Sequence, residues 1–354
     1  MLDNASTDAT QEVVGRIRDP RLRYLRNDQR LSMRDNFEKG IDSSSGEVLC
    51  FIGDDDGLLP NAIRDALKIL AELKVDAVSA ARALYCWPDL LAARKSTGFL
   101  PRGRGVTVRD SRRQLHSLLK NCDYYRLPCL YHGFVKRKMV ERVRAAQGRF
   151  FLSSQVDMFS SIALSMEGFS YGFSRSPLIV NGASKRSNGA AHFGGGGDQE
   201  RQLWKKEDDL GFLPGFDQSL SVGTLIVESA LRYGRARGVA LGAILDEHDV
   251  ADVLAAESAL RIASGRPATD VELMWQTAGI PMDRQRRTSF KIAQRATKLM
   301  STFWRVRPVN FENYGVTNVY ESAACLDKLL TDQLTGFFSN PIEQVTTAIR
   351  MAKH

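Results

Sequence analysis

The chain has 354 residues, 43% of them hydrophobic, which is typical of a soluble globular protein with room for two domains. The net charge of +8 favours anionic partners, but arginines are spread along the whole chain and no nucleic-acid motif is present, so nucleic acid is not an expected partner. The five cysteines lack Cys-x-x-Cys spacing and no apolar run reaches the length of a membrane span, which argues against zinc sites, disulfide frameworks and membrane-spanning helices.

The N-terminal segment, residues 2–10, has the pattern of a strand end that runs into a polar turn and then a helix. Asp3 stands at the predicted strand end. Its carboxylate could contact a ligand there, or it could close a turn with Asn4 and Ser6, since these residue types readily bond to nearby backbone N–H groups. The pattern leaves both alternatives open.

Residues 47–52 predict a short buried strand, and three consecutive carboxylates, Asp54, Asp55 and Asp56, follow it after Gly53. Adjacent like charges repel one another, so the arrangement favours a nearby cation. Mg²⁺ or Mn²⁺ suits such a position, because one or two carboxylates together with substrate oxygens typically hold these ions. The alternative is a solvated turn at a strand end.

Further along, helical spacing over residues 61–73 precedes a predicted strand over 76–85. A short apolar segment and a basic helix follow over residues 130–146, and strand pairs are predicted over 168–180. Alternating strands and helices predict an α/β domain with a mostly parallel sheet over residues 1–205. Separate helical patterns from residue 216 to residue 354 predict an α-helical C-terminal domain.

The N-terminal motifs resemble those of the GT-A-fold glycosyltransferases of family 2. The resemblance rests on the polar strand end at residues 2–10, an Asn-x-x-x-Gly-Ile helix at 36–41, the Gly46-Glu47 step, and the carboxylates before Pro60. It is specific over residues 2–60 and looser to about residue 190. It implies a Rossmann-like GT-A domain that transfers a sugar, by single displacement with inversion, from a nucleotide-diphosphate donor to a glycan or lipid-linked acceptor with Mg²⁺ or Mn²⁺ as cofactor.

Two features depart from the family pattern. Gly53 stands where many members carry the first aspartate of the metal motif. The family's first strand, its Pro-x-Tyr-Asn loop and the following helix have no counterpart before Met1-Leu2, so the resemblance implies an N-terminally truncated relative whose domain lacks its first strand. Because of this departure, a non-catalytic function remains an alternative: the chain would be a degenerate GT-A-like binding or scaffold module.

The resemblance also assigns roles to residues. Asp55 matches the metal-binding position, with Asp56 as a supporting ligand and Asp54 on the nucleotide side, while Asp3 and Asn36 match positions that contact the nucleotide. The stretch of residues 188–197 corresponds to a loop that orders over the nucleotide sugar, or else is a plain linker. His192 in this stretch is a candidate metal ligand; the alternative is a solvated histidine.

Inverting transfer needs a base for the acceptor hydroxyl, and Asp157 lies where the family carries this acidic residue. The alternative for Asp157 is structural, because Ser154 and Asp157 have the spacing of a helix capping box. A sugar-phosphate nucleotidyltransferase is a rival enzyme class, but the N-terminal glycine-rich loop that it needs is absent from the sequence.

A basic amphipathic pattern runs over residues 284–307. Such a helix either lies on an anionic membrane surface or packs its apolar side on a neighbouring domain with its arginines in solvent. Together with the absence of a visible signal peptide, it predicts a cytoplasmic protein with peripheral contact at the inner membrane face as an alternative to packing.

Overall fold

The structure is a computed structural model that describes residues 1–90, 94–185, 187, 206–217, 221–282 and 306–332. The strands are β1 Leu2–Asp3, β2 Leu25–Arg26, β3 Val48–Leu49, β4 Gly57–Leu58, β5 Ala77–Ala80, β6 Ala83–Cys86, β7 Thr97–Pro101, β8 Val106–Asp110, β9 Phe134–Lys136, β10 Ser170–Ser174, β11 Ile179–Ala183 and β12 Val306–Asn310. The α-helices are α1 Thr10–Gly15, α2 Met33–Asp42, α3 Ala62–Glu72, α4 Ser111–His116, α5 Arg137–Gln147, α6 Val156–Met166, α7 Val222–Arg237, α8 Glu247–Ala263, α9 Ala268–Ala278 and α10 Val319–Asp332.

The strands form an α/β fold, as predicted, but with mixed strand pairing. One five-stranded sheet has the order β3-β9-β5-β10-β8 and the other has the order β12-β7-β6-β11-β4, while β1 and β2 form a parallel pair. Pairs β5–β10 and β6–β11 are parallel, and the other pairs within the two five-stranded sheets are antiparallel. The expected mostly parallel sheet is therefore a mixed one, because short connections such as that from β6 to β7 return the chain in the opposite direction.

The strand predicted over residues 76–85 is in fact two strands in different sheets. β5 pairs with β10, and β6 pairs with β11, with a bend at Ala81 and Arg82 between them. The Ala81 N–H still donates to the Ser174 carbonyl at 2.8 Å, so the chain leaves the first sheet only after this residue. The bend places Arg82 at the junction of the two sheets.

The predicted helices of residues 61–73 and 136–146 are confirmed as α3 and α5. The C-terminal part contains helices α7 to α9, as predicted. Their buried faces share one apolar core with α6, in which the rings of Phe159 and Tyr233 lie 6.4 Å apart. The division into residues 1–205 and 216–354 remains a prediction.

The segment from 306 to 332 returns to the N-terminal part of the chain. β12 pairs antiparallel with β7, from Val306 opposite Pro101 to Asn310 opposite Thr97. Helix α10 packs beside β4, and the Val319 side chain would lie 3.0 Å from a Cβ placed on Gly57. The C-terminal part is thus not purely helical, because β12 gains its backbone hydrogen bonds by extending an existing sheet.

Most of the basic amphipathic pattern of residues 284–307 lies outside the described residues. Its last two residues, Val306 and Arg307, begin strand β12, so a helix extending to residue 307 is wrong at that end. Within the described ranges, every helix is too short or too polar to cross a bilayer.

Candidate active site

The three carboxylates lie in a loop of residues 53–56, hereafter the carboxylate loop, between β3 and β4. The approach to this loop is fixed by backbone pairing with a distant segment. The Phe51 N–H donates to the Leu130 carbonyl at 2.8 Å, and the His132 N–H donates to the Phe51 carbonyl at 2.9 Å. The loop therefore begins beside residues 130–132, about eighty residues further along the chain.

Asp56 is buried and both of its carboxylate oxygens accept hydrogen bonds. Oδ2 accepts from the Gly53 N–H at 2.8 Å, from the Tyr131 hydroxyl at 2.6 Å and from His132 Nε2 at 2.7 Å, while Oδ1 accepts from the Gly182 N–H at 2.9 Å. Burial acts to raise the pKa of Asp56, but the bonds from His132 and Tyr131 bring that pKa below its usual value. The structure therefore does not support the metal-ligand role predicted for Asp56, because its oxygens already hold the loop in place.

Close packing around the carboxylate loop explains the glycine at position 53. A Cβ at Gly53 would lie 2.7 Å from the Tyr131 hydroxyl and 2.9 Å from Asp55 Oδ1. A Cβ at Gly182 would overlap the Asp55 carbonyl. The aspartate that many family members carry at the first position would fit here only if the side chains of Tyr131, Asp55 and Asp56 shifted.

Asp55 has little compensation for its charge. Its side chain is half-buried, and Oδ2 accepts a hydrogen bond from the Ser187 hydroxyl. Burial, followed by the neighbouring charge of Asp56 and then that of Asp54, raises the pKa of Asp55 to about 6, although the Ser187 bond lowers it. Asp54 is exposed, and within the described part of the chain it has no hydrogen-bond or ion-pair partner.

The donor set at Asp54 and Asp55 fits a hard divalent cation that binds together with a substrate. Among the described residues, no group of three or more His, Cys, Asp or Glu side chains could hold a metal ion by itself. Mg²⁺ and Mn²⁺ sites of nucleotide-dependent enzymes commonly use only one or two carboxylates and complete their coordination with phosphate oxygens and water. The accumulated negative charge at Asp55 is what such a cation would relieve.

Asp157 lies in the first turn of α6 and is half-buried. Its Oδ2 accepts a hydrogen bond from the Tyr124 hydroxyl at 2.7 Å, and its Oδ1 accepts from the Met158 N–H at 2.8 Å. The predicted capping box does not form: the residue preceding the helix is Gln155, which makes no side-chain cap, and Ser154 donates to Asp208 at 2.6 Å. The capping-box part of the structural alternative is therefore not realised, but its first-turn part is, because the Asp157 carboxylate accepts a hydrogen bond from a backbone N–H at the start of α6.

Tyr131 connects Asp157 to the carboxylate loop. Burial raises the pKa of the Tyr131 hydroxyl well above its usual value, and the negative charges of Asp56, Asp55 and Asp157 raise it further. The Tyr131 hydroxyl donates to Asp56 Oδ2 at 2.6 Å, and Cys129, two residues earlier, donates its Sγ–H to the Asp157 carbonyl at 3.4 Å, so one short segment contacts both sides of the site. The structure brings Asp157 and Asp55 to the same region of the fold from positions far apart in sequence.

Asp3 and Asn36 belong to a second polar group near β1. Asp3 is buried and accepts hydrogen bonds from the Ser6 N–H at 2.8 Å, from Arg26 Nη1 at 2.7 Å and from the Tyr24 hydroxyl. Asn36 Oδ1 accepts from Asn27 Nδ2 at 2.9 Å, and this amide also donates to Asn4.

Helix α2 connects this polar group to the carboxylate loop. Phe37, the residue after Asn36, packs its ring 5.3 Å from Phe51 and 5.9 Å from Tyr131, measured between centroids. The turn alternative for Asp3 is realised through Ser6, while its contact with a nucleotide remains a prediction.

Sequence reasoning missed four side chains that shape the site. Tyr131 and His132 could have been identified from the sequence, because they form a polar pair beside Gly133 that interrupts an apolar segment. Ser187 and Arg82 gave no local signal: Ser187 bonds to Asp55, and Arg82 lies over the Tyr125 ring and donates to Asn181 at 3.0 Å. The predicted metal ligand His192 and the loop of residues 188–197 lie outside the described residues.

The first part of the chain is similar to a known family of proteins. Residues 1–139 match the model of Glycosyl transferase family 2. No curated protein matches the chain.

Matches among solved structures include S. aureus TarS at 13% identity and a TM-score of 0.38, covering 80% of this chain and 47% of that one. They also include TarS 1-349 in complex with UDP-GlcNAc at 13% identity and a TM-score of 0.40, and the same segment in complex with UDP at 14% and 0.38, each covering 78% of this chain and 80% of that one. The chain spans 47% of the length of the first of these structures.

Proposed function

We propose that the chain transfers a sugar from a nucleotide-diphosphate donor to a glycan or lipid-linked acceptor in a metal-dependent reaction, because residues 1–139 match the model of Glycosyl transferase family 2. The observation that carries the proposal is the state of Asp55, a half-buried carboxylate between two others with one hydroxyl donor and a pKa raised to about 6. Uncompensated negative charge of this kind destabilises the metal-free protein. A divalent cation that binds with its nucleotide would relieve it.

In this proposal Asp55 and Asp54 hold the Mg²⁺ or Mn²⁺, and Asp56 holds the loop. The ion, when bound, would neutralise charge that develops on the departing diphosphate. The four hydrogen bonds to Asp56 keep the loop backbone fixed, so that the Asp55 side chain stays beside Asp54. Ser187, which bonds to Asp55, ties the end of β11 to the same loop.

Asp157 acts as the base in the proposed reaction. Its carboxylate accepts the proton of an acceptor hydroxyl while that oxygen forms the new glycosidic bond and the nucleotide diphosphate leaves from the opposite side, so the anomeric configuration inverts. The bonds from Tyr124 and from the Met158 N–H fix the orientation of the carboxylate.

Asp3 and Asn36 are proposed to contact the nucleotide through the polar group near β1. The Asn27 amide donates to both Asn4 and Asn36, and Lys39 Nζ donates to the Asn27 carbonyl oxygen at 2.7 Å. The exposed Lys39 adds a positive charge beside this group. A base or ribose bound here would exchange hydrogen bonds with amides that are already oriented.

Calorimetry with Mn²⁺ and UDP or GDP tests the proposal. The wild-type chain is expected to bind nucleotide and metal with mutual enhancement, and Asp55→Ala to lose it. The matched control is Asp65→Ala, which removes a carboxylate on α3 that pairs with Arg64 on the surface. Equal coupling in wild type and Asp55→Ala would contradict the metal assignment.

Donor turnover separates an enzyme from a binding module. Release of free nucleotide diphosphate from a sugar donor should require Asp157, and Asp157→Asn should bind donor as wild type does while losing turnover. Donor binding without any turnover by the wild-type chain would favour the degenerate binding or scaffold module.

A further inference from the structure

A cluster of three arginines, Arg109, Arg126 and Arg175, lies on one face of the β8–β10 strand pair; we call it the arginine cluster. The guanidinium carbons of Arg109 and Arg126 lie 3.8 Å and 5.0 Å from the centroid of the Phe173 ring. Arg175 follows β10 two residues after Phe173, so alternation along the strand points both side chains to the same face. The sheet thus presents three planar cations together.

The positive charge of the arginine cluster is poorly compensated. Within the described ranges, Arg109 and Arg175 form no ion pair, and Arg109 Nε donates only to the Thr107 hydroxyl, at 3.3 Å. Arg126 faces a single carboxylate, Asp123, at 3.8 Å. Burial lowers the pKa of Arg109, and the charges of Arg126 and Arg175 lower it further, while the neighbouring Tyr171 side chain acts in the opposite direction.

The cluster lies close to the candidate base. Arg126 ends a short 3-10 helix, Tyr124–Arg126, whose first residue donates its hydroxyl proton to Asp157 at 2.7 Å. The middle residue, Tyr125, carries Arg82 over its ring, and Tyr171 anchors the helix by donating to the Arg126 carbonyl at 2.6 Å. One turn of chain therefore separates the arginine cluster from the carboxylate that would activate the acceptor.

A purely structural role accounts for only part of this arrangement. The guanidinium groups of Arg109 and Arg126 gain cation–π attraction from the Phe173 ring. That attraction does not explain Arg175, which is exposed and adds a third like charge without a carboxylate partner in the described part of the chain. Planar guanidinium groups grouped without counter-charges suit oxyanions, which they bind through paired N–H donors.

We propose that the arginine cluster binds an oxyanion of the acceptor, a phosphate or carboxylate group located beside the hydroxyl that receives the sugar. The inference rests on the proposed function, because it assigns the acceptor side of the same site. It divides the site by charge: an anionic end for the metal and donor phosphates, and a cationic end for an acidic acceptor.

Binding of three polymers to the whole chain tests the proposal: inorganic polyphosphate, oligogalacturonate and neutral dextran. The wild-type chain is expected to bind one or both polyanions and not dextran, with an affinity that falls as salt is raised. The polyanion that binds more tightly identifies the source as phosphate or carboxylate. If neither polyanion binds, the proposal is overturned.

Arginine variants locate the binding. The combined substitution Arg109→Gln, Arg126→Gln and Arg175→Gln should weaken polyanion binding about tenfold or more, the usual scale for losing charged hydrogen bonds. The matched control replaces Arg16, Arg21 and Arg64 with Gln, which makes the same change of charge at exposed surface ion pairs. Equal weakening by both sets would mean that only net charge matters and would overturn the site.

Two further variants show whether weaker binding comes from misfolding of the triple variant, and whether the polyanion binds at the donor site instead of the arginine cluster. Arg175→Gln removes only an exposed side chain and should weaken binding about two- to fivefold by itself. Asp55→Ala should lose the coupling between Mn²⁺ and UDP while keeping polyanion binding, and the triple arginine variant should do the reverse. If the wild-type chain shows no coupling between Mn²⁺ and UDP binding, the proposed function is contradicted. If the triple arginine variant binds the polyanion as the wild type does, only the arginine site is contradicted.

Discussion

Asp3 ends the short strand β1 and Asp55 follows the short strand β3, yet their electrostatic surroundings are opposite. Asp3 accepts three hydrogen bonds, one from the cationic Arg26, and these hold its pKa well below the usual value although burial acts to raise it. Asp55 has one hydroxyl donor and two carboxylate neighbours, and its pKa rises to about 6. Location at a strand end therefore does not decide the state of a carboxylate; the charges that packing brings to it do.

The contrast separates carboxylates that hold the fold from one to which the proposed function assigns a ligand. Arg26 lies on β2, so its bond to Asp3 joins the two strands of the parallel pair. Asp56 is held in a similar way by His132 and Tyr131. Asp55 has no cationic partner within the described residues, and the proposed function assigns it one from solution.

The largest expected effect tests the holding role of Asp56. Asp56→Ala should lower the free energy of unfolding by about 3–5 kcal/mol, because it leaves His132, Tyr131 and two backbone N–H groups buried without their acceptor. His132 Nδ1 already lacks a hydrogen-bond partner among the described residues, so the ring would lose its remaining bond. Urea unfolding of the metal-free chain measures the change, and Asp54→Ala, at an exposed residue, is the control expected to be neutral.

If Asp56→Ala were as stable as Asp54→Ala, the network around Asp56 would not hold the loop. The assignment of metal ligands would then be open to Asp56 again. The contrast between held and available carboxylates would no longer apply within the carboxylate loop.

The second-largest expected effect is the loss of stability on replacing Asp3, which tests its ion pair with Arg26. Asp3→Asn should cost about 1–3 kcal/mol at neutral pH, since it removes charge-assisted bonds from Arg26 and from the Ser6 N–H. The folded pKa of Asp3 is depressed, so its contribution is fully present above the ordinary pKa near 4 and is lost as the pH falls further. Unfolding experiments at decreasing pH should show wild type and variant converging, and a difference that stays constant into the acid range would contradict the ion pair.

The smallest expected effect is a gain in stability on replacing Asp55. The folded pKa of Asp55 is raised, so the wild-type fold loses stability as the pH rises from near 4 through about 6. Asp55→Asn should therefore stabilise the metal-free chain at pH 7.5 by about 1 kcal/mol, since one pKa unit corresponds to about 1.4 kcal/mol and solvent screens a half-buried group. Melting temperatures at pH 7.5 and 4.5 check this, with the gain expected only at the higher pH.

A destabilised Asp55→Asn chain at pH 7.5 would show that the carboxylate is compensated, and the main argument for a metal at this position would fall. An Asp55→Asn chain that is more stable but no longer couples Mn²⁺ binding to nucleotide binding would strengthen the distinction between Asp55 and the carboxylates that hold the fold. It would show that the charge at Asp55 costs stability and serves binding.

The sequence by itself determined the local features of the protein. Helical spacing located α3 and α5, because apolar periodicity records which side of a helix is buried. The order of motifs over residues 2–60 identified the family that the match over residues 1–139 supports. The three adjacent carboxylates marked the carboxylate loop, since their repulsion is visible in the sequence alone.

Only the tertiary structure decided which carboxylate is held and which is available. Apart from the Gly53 N–H, the groups that bond to the Asp56 carboxylate belong to Tyr131, His132 and Gly182, and the side-chain partner of Asp55 is Ser187, all more than seventy residues away in sequence. The sequence likewise read residues 76–85 as one strand, whereas pairing with β10 and β11 divides it between two sheets. Periodicity reports burial of a local segment, but hydrogen bonds and charges between distant segments arise only when packing brings them together.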